Sequence, residues 1–350
     1  MLELLSKLLH FTVANPPGSD SGARYAAIPK KDAATWSAAL DETRAHRTAP
    51  VLGYMLRSTG MDRMVPAPYD TAFGNDYRQT LAANTLLMHT LGQLMPALAE
   101  AGVRPIVLKG ALLADVYYPD LGTRPMGDID LLFRAEESPA AHQVFRAMGF
   151  APRSENNSND AIVFCNSRGI TFDVHHRFNL FPPEMRDEIT EEEAMPSLAG
   201  QPVKCWEPNA QLVHLLVHLC GHRRKSGLII GWLLDLAFVV RRDGARLCPK
   251  RLESLIPHPK QLKMLWRTLG FLRAHTGLII PEPLQGSVDS EPPLRLPGIL
   301  RDQRLAQWGL PSVRGWLRLL ASHLHLSTAP VAKYPSVSDL AQCLLPSGRD

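Results

Sequence analysis

The sequence predicts an α+β fold, with a strand-bearing core set between two helical regions. Three observations predict it. From about residue 70 to 101 apolar residues recur at helical period: Leu81, Leu86, Leu87, Leu91, Leu94, Met95 and Leu98. Short apolar or alternating runs follow at 103–108, 128–133, 161–165 and 170–174, with turn residues between them. From residue 208 onward the pattern is helical again.

Taken in order, residues 1–31 contain Asn-Pro-Pro-Gly-Ser-Asp-Ser-Gly and read as a flexible N-terminal segment. Residues 32–102 form an N-terminal helical region, which Gly102 ends as a cap of the long helix. Residues 103–207 form the core. Here 103–108 is a strand, 110–118 helical, 119–127 a loop, 128–133 a second strand and 135–148 a crossover helix. Residues 161–165 and 170–174 pair as a hairpin around Asn166-Ser167-Arg168-Gly169, and 203–206 adds a short strand. Residues 208–280 carry helices near 209–223, 228–242, 249–256 and 260–276, a possible acceptor pocket. Residues 281–297 are rich in Pro, Ser and Gly and read as a surface connection. Closing helices are expected over 299–325, within a C-terminal region running to 350.

Composition narrows the class. At 350 residues, 45% hydrophobic and 21% charged, the chain can bury one large core or two modest ones. The formal charge of +4 allows a polyanionic substrate but is far from the basic stripes of a dedicated nucleic-acid binder. Cys165, Cys205, Cys220, Cys248 and Cys343 include no C-x-x-C pair, which fits reduced thiols of a cytoplasmic protein. The first ten residues are too charged and too short for a signal peptide. The longest apolar run, 227–240, contains Asp235 and falls short of the roughly 20 residues a membrane span needs.

The chemistry concentrates between Lys109 and Asp130. In a strand, residues i and i+2 share a face, so Asp128 and Asp130 project together while Ile129, Leu131 and Phe133 point to the core. Two carboxylates on one face repel unless a cation sits between them, and hard oxygen ligands suit Mg2+. Gly110 follows an apolar strand and opens a helix, where backbone N–H groups favour anions such as phosphate. Lys109 could act as a point charge on that phosphate or be a solvated strand-end lysine. Arg124 could hold phosphate oxygens bidentately, or pair with Asp120 or Asp128. Asp173 and His175 share a face of the next strand. A phosphate seat beside an acid pair points to chemistry on a nucleoside triphosphate.

Leu108-Lys109-Gly110, then Tyr117-Tyr118, Arg124 and Asp128-Ile129-Asp130-Leu131-Leu132 resemble the poorly characterised bacterial nucleotidyltransferase family of the "LKG … R … DIDLL" kind, within the DNA polymerase β-like superfamily. The resemblance runs from about Asp32 to about Arg242. One departure from the broader signature is Ala111, where Gly or Ser is usual. The resemblance implies a mixed, mostly antiparallel sheet with the active site on one face. It also implies Asp173 as the third acid, which would bind a second Mg2+ and help deprotonate an acceptor hydroxyl. The implied reaction moves an NMP from an NTP to that hydroxyl and releases pyrophosphate. A small molecule or peptide acceptor is favoured over RNA, because no aromatic-interleaved basic tract is present.

Other readings stay open on sequence alone. His214, His218 and His222 stack on one helix face and could wall a pocket, pack, or bind metal. Asp235 lies on an apolar helix and calls for a hydrogen-bond or ion-pair partner. The fold could serve a non-catalytic partner such as an antitoxin or assembly factor, although a scaffold has no need to keep three mutually repelling acids. The same site could instead transfer the γ-phosphate, as a kinase does.

Overall fold

The structure is a computed structural model that describes residues 33–58, 60–153, 161–176, 191–226, 229–256 and 258–294, with backbone only at 191–197 and 221–226. The expected N-terminal segment 1–31 and the closing helices of 299–325 lie outside the described residues. In chain order the elements are α1 (Ala33–Ala45), α2 (Ala49–Ser58), α3 (Tyr69–Glu100), β1 (Ile106–Val107), α4 (Lys109–Leu112), β2 (Ile129–Leu132), α5 (Ser138–Ala147), β3 (Ala151–Pro152), β4 (Ala161–Cys165), β5 (Thr171–His175), β6 (Glu191–Leu198) and β7 (Gln201–Trp206). Helices α6 (Pro208–Ser226), α7 (Ile230–Asp243), α8 (Pro249–Leu255), α9 (Pro259–Thr276) and α10 (Glu282–Asp289) follow.

The described chain forms two compact units, one spanning Arg47–Gln211 and one combining residues 33–46 with 212–294. The helical region expected over 32–102 is therefore divided: α1 goes with the later helices, while α2 and α3 go with the strands.

In the first unit a seven-stranded sheet runs in the order β3-β4-β5-β2-β1-β7-β6. The pairs β2/β5 and β1/β7 are parallel. The other four are antiparallel, so the sheet is mixed and mostly antiparallel as expected. Ile129, Leu131, Phe172 and Val174 point from the central strands into a core shared with Leu87, Leu91, Leu94 and Leu98 of α3. Phe145 of α5 anchors this core, stacked on Phe164 with ring centroids 4.7 Å apart and edge-on to Phe172 at 5.3 Å. The hairpin turn is closed by Asn166, whose Oδ1 accepts from the backbone N–H of Arg168 and of Ile170.

Several boundaries differ from the sequence expectation for identifiable reasons. The strand expected over 103–108 shrinks to Ile106–Val107. Val103 N–H still bonds Leu98 O to close α3, Gly102 takes φ 74°, and Pro105 has no N–H to offer a ladder. Strand β2 begins at Ile129, so Asp128 stands in the bend just before it. Residues 113–117 widen into a π turn, with Tyr118 N–H bonded to Leu113 O. Strand β6, read from sequence as neither helix nor strand, contains Glu191-Glu192-Glu193 and Pro196 and pairs with β7 through two register shifts. Within the expected 281–297 connection, Glu282–Asp289 is a helix. Pro283 is tolerated in its first turn, and Leu284 and Val288, four apart, are both buried.

The second unit is helical. Trp36 and Leu40 of α1 are buried, as is every residue of α7 from Trp232 to Val240, and Leu265, Leu269 and Leu272 of α9. No helix of the described residues is long and apolar enough to cross a membrane.

Candidate active site

Strands β2 and β5 run parallel with Asp130 directly opposite Asp173 and Leu132 opposite His175. Because both strands send alternate residues to the core, Asp130, Asp173 and His175 are left on the opposite face. One donor atom from each lies within 4.8 Å of the other two. His175 Nε2 stands 3.4 Å from Asp130 Oδ1 and 3.4 Å from Asp173 Oδ2, bridging the two acids. Asp128 flanks this trio from the solvent-facing rim.

Lys109 closes the other side of Asp130. Its Nζ is 2.7 Å from Asp130 Oδ1, both side chains being largely buried at 14% and 8% exposure. The lysine takes a left-handed φ of 33°, a conformation that costs an L-residue roughly 1 kcal/mol. Such strain is found where the surroundings over-determine a position. Here the position sends the ammonium back toward β2.

The charges set distinct proton affinities. Burial pushes the Asp130 carboxyl up, but the Lys109 ammonium and His175 outweigh it and hold the group well below the usual carboxylate range. Asp128 is pushed up to about 6, by desolvation first and then by the Asp130 carboxylate, with Lys109 and Arg47 opposing. Asp173 is also raised, chiefly by burial, with His175 opposing and Asp130 reinforcing. Three carboxylates thus share one ammonium and one imidazole, with the Arg47 guanidinium acting on Asp128. Asp173 Oδ1 is buried with no hydrogen-bond partner among the described residues. A cation-deficient acid cluster with an orphaned carboxylate oxygen fits a divalent metal.

The loop before β2 supplies the second cation. The Arg124 guanidinium lies 6.0 Å over the Tyr118 ring. A Cβ at Gly110 would stand 3.6 Å from Arg124 Nη1, 3.6 Å from Asp128 O and 3.4 Å from Met126 Sδ. Those are ordinary contacts, so the protein's own packing does not demand a glycine at 110. The bare Cα leaves space between Arg124 and the head of β2.

Three residues that sequence reasoning missed hold this loop. Asn84 of α3 is fully buried and donates from Nδ2 to Leu121 O at 2.6 Å and Arg124 O at 2.8 Å. Its signal was present: Asn84 sits on the apolar stripe of Leu87 and Leu91, where a lone amide requires polar partners. Tyr77 donates to Asp120 Oδ1 at 2.9 Å, and the same oxygen accepts from Gly122 N–H at 2.8 Å. Gly122 is pressed against α3 so closely that a Cβ there would meet Tyr77 Cε2 at 2.6 Å and Leu81 Cβ at 2.8 Å. Arg47, in a left-handed conformation with φ 57°, bears on the Asp128 charge from the turn before α2.

The remaining candidates lie elsewhere. His214 and His218 belong to the helical unit, where His214 is buried and the His218 ring meets Trp232 edge-on at 5.4 Å. The His222 side chain lies outside the described residues. Asp235 is buried on α7, as its apolar surroundings in the sequence suggested. Tyr118 is buried, in keeping with a packing role.

Comparison with curated proteins gives no significant match. Among solved structures, similarity is found to the solution structure of the antibiotic-resistance factor ANT(2'')-Ia, at 15% identity and TM-score 0.38 over 49% of this chain and 89% of that one. Similarity is also found to the crystal structure of ANT(2'')-Ia with adenylyl-2''-tobramycin, at 15% identity and TM-score 0.37 over 48% and 93%. A third similar structure is an antigenic nucleotidyltransferase-like protein from Paracoccidioides brasiliensis, at 15% identity and TM-score 0.38 over 59% and 94%. These likenesses are too distant to carry residue roles. The family model described as "uncharacterised nucleotidyltransferase" matches residues 32–277, and the chain belongs to that family of nucleotidyltransferases.

Proposed function

We propose that this nucleotidyltransferase moves an NMP from an NTP to an acceptor hydroxyl and releases pyrophosphate. The observation that carries the reading is the register of Asp130 against Asp173, with the Asp173 Oδ1 left without a partner among the described residues. In the proposed reaction the acceptor oxygen attacks the α-phosphorus and the bond from that phosphorus to the bridging oxygen of pyrophosphate breaks. A divalent cation, with Mg2+ the expectation for hard oxygen ligands, would be held by Asp130 and Asp173 with Asp128 at its edge. When bound it neutralises charge on the triphosphate oxygens.

The chain's own residues supply the rest. Asp173, by the family resemblance the third acid, would help take the proton from the acceptor hydroxyl. Lys109 and Arg124 flank Gly110 and attract the phosphates of the triphosphate and of the leaving pyrophosphate. Asn84, Tyr77 and Asp120 hold the Arg124 loop in place. The mildly basic chain without an aromatic basic tract favours a small molecule or a peptide as acceptor over RNA.

Calorimetry with ATP, GTP, CTP and UTP, without metal and with Mg2+ or Mn2+, tests the reading on the wild type and on Asp130→Asn. Metal-dependent binding of at least one NTP that is lost in the variant is expected, followed by pyrophosphate release in an acceptor screen. Failure of all four to bind with metal overturns the reading, and release of a nucleoside diphosphate in place of pyrophosphate turns it into γ-phosphate transfer.

A further inference from the structure

We propose that His175 is itself a metal ligand, making the centre a mixed carboxylate–imidazole site that takes a first-row transition-metal dication such as Mn2+ in preference to Mg2+. The inference rests on the metal-dependent reading above and goes beyond it by naming the donor set and its selectivity. The sequence pattern pointed to the acid pair Asp128 and Asp130. The resemblance added Asp173, and the group whose donor atoms the fold brings within 4.8 Å of one another is Asp130, Asp173 and His175.

The spacing of the trio favours ligation over hydrogen bonding. His175 Nε2 is 3.4 Å from one oxygen of each acid, longer than the roughly 2.9 Å of a well-formed N–H···O bond. An N–H has one direction and cannot point at both oxygens well. A lone pair shared with them around one ion needs no such choice. Two donors each about 2.1 Å from a common ion and at a right angle stand about 3.0 Å apart. The two histidine–carboxylate edges of the triangle are a few tenths of an ångström longer than that spacing, and the third edge lies within 4.8 Å. His175 is also well placed to hold still, since it closes β5 in register with Leu132 and Phe133 N–H bonds its carbonyl oxygen.

The chemical consequence follows from the nitrogen. Mg2+ is small, prefers oxygen and keeps its waters, so an imidazole adds little to its affinity. Imidazole nitrogen binds the first-row transition dications more strongly, in the Irving–Williams order. The neutral ring must carry its proton on Nδ1 to offer Nε2. One nitrogen among two carboxylates therefore shifts selectivity away from Mg2+ while leaving room for triphosphate oxygens.

Pulsed EPR of Mn2+ bound to the full chain tests this directly. Protein with and without 15N-labelled histidine is compared, and no substitution is needed. A nitrogen hyperfine coupling that changes with the isotope is expected. In parallel, titrations of Mn2+ and Mg2+ compare the wild type with His175→Gln and His175→Asp, with circular dichroism as the check on folding. His175→Gln should weaken Mn2+ at least 10-fold while changing Mg2+ less than 3-fold, and His175→Asp should narrow the preference. Bound Mn2+ with no histidine coupling, or an equal loss of both metals in His175→Gln, overturns the inference while leaving the metal-dependent reading intact. Failure of the wild type to bind either metal, with or without NTP, overturns both.

Discussion

Lys109 Nζ sits 2.7 Å from Asp130 Oδ1, on the carboxylate most deeply placed in the site. The ammonium stands where a metal ligand is expected to offer its oxygen, so lysine and metal compete for one group. Lys109→Met should therefore bind Mn2+ or Mg2+ more tightly than the wild type in the absence of nucleotide. The same variant should bind NTP more weakly, because a cation beside Gly110 is gone. Calorimetry on both ligands checks the two opposite signs together.

The two acids that face each other across β2 and β5 should respond differently to neutralisation. Asp130→Asn strands the Lys109 ammonium in a mostly buried position and should destabilise the metal-free protein by about 1–3 kcal/mol. Asp173→Asn removes a charge that the fold disfavours, so its metal-free melting temperature should rise. Both variants should lose metal-dependent NTP binding by more than the roughly 10–100-fold that an outer-shell partner contributes to a metal site. Thermal melts alongside calorimetry separate these effects, and matching stability shifts in the two variants would refute the electrostatic account.

Asp128 gives a pH dependence of defined sign. Its folded carboxyl lies at about 6 against an ordinary 3.8, so the folded state holds a proton that the unfolded chain has already released. Metal-free stability should fall as pH rises from about 4 to about 6 and level off above. The raised Asp173 adds to the same slope. Asp130 acts oppositely, stabilising above its ordinary value and losing that contribution as pH falls through its depressed folded value. Denaturant melts from pH 4 to 7.5 should show the decline in the wild type, a shallower one in Asp128→Asn, and none with saturating metal. Because Asp128 is partly solvent-exposed, salt should weaken its share.

Asn84 acts at a distance from the chemistry. Asn84→Leu keeps the volume but leaves Leu121 O and Arg124 O without the donor they now share, at a cost of about 1–3 kcal/mol. Gly122→Ala pushes the same loop off α3 by a different route, through the Tyr77 and Leu81 side chains. Both should weaken NTP binding at least several-fold through Arg124 while leaving metal binding without nucleotide unchanged. Equal losses of both ligands would mean that the loop supports the strands rather than the phosphates.

The amino-acid sequence by itself determined the elements whose information is local. The period of 3.6 along α3, the period of two along β2 and β5, and the turn chemistry of Asn166 and Gly102 are each written within a few residues. So is the cluster Leu108-Lys109-Gly110 with Asp128-Ile129-Asp130, which carries the family. What the tertiary structure decided is which of these residues meet. The register of β2 on β5 brings Asp130 opposite Asp173 and places His175 between them, while Asp128, one bend earlier, is left at the rim. The same folding turns Lys109 inward onto Asp130, makes Asn84 the clasp of the Arg124 loop, and assigns His214 and His218 to the helical unit. Strand pairing, burial and ion pairing depend on residues far apart in the chain, and no local period encodes them.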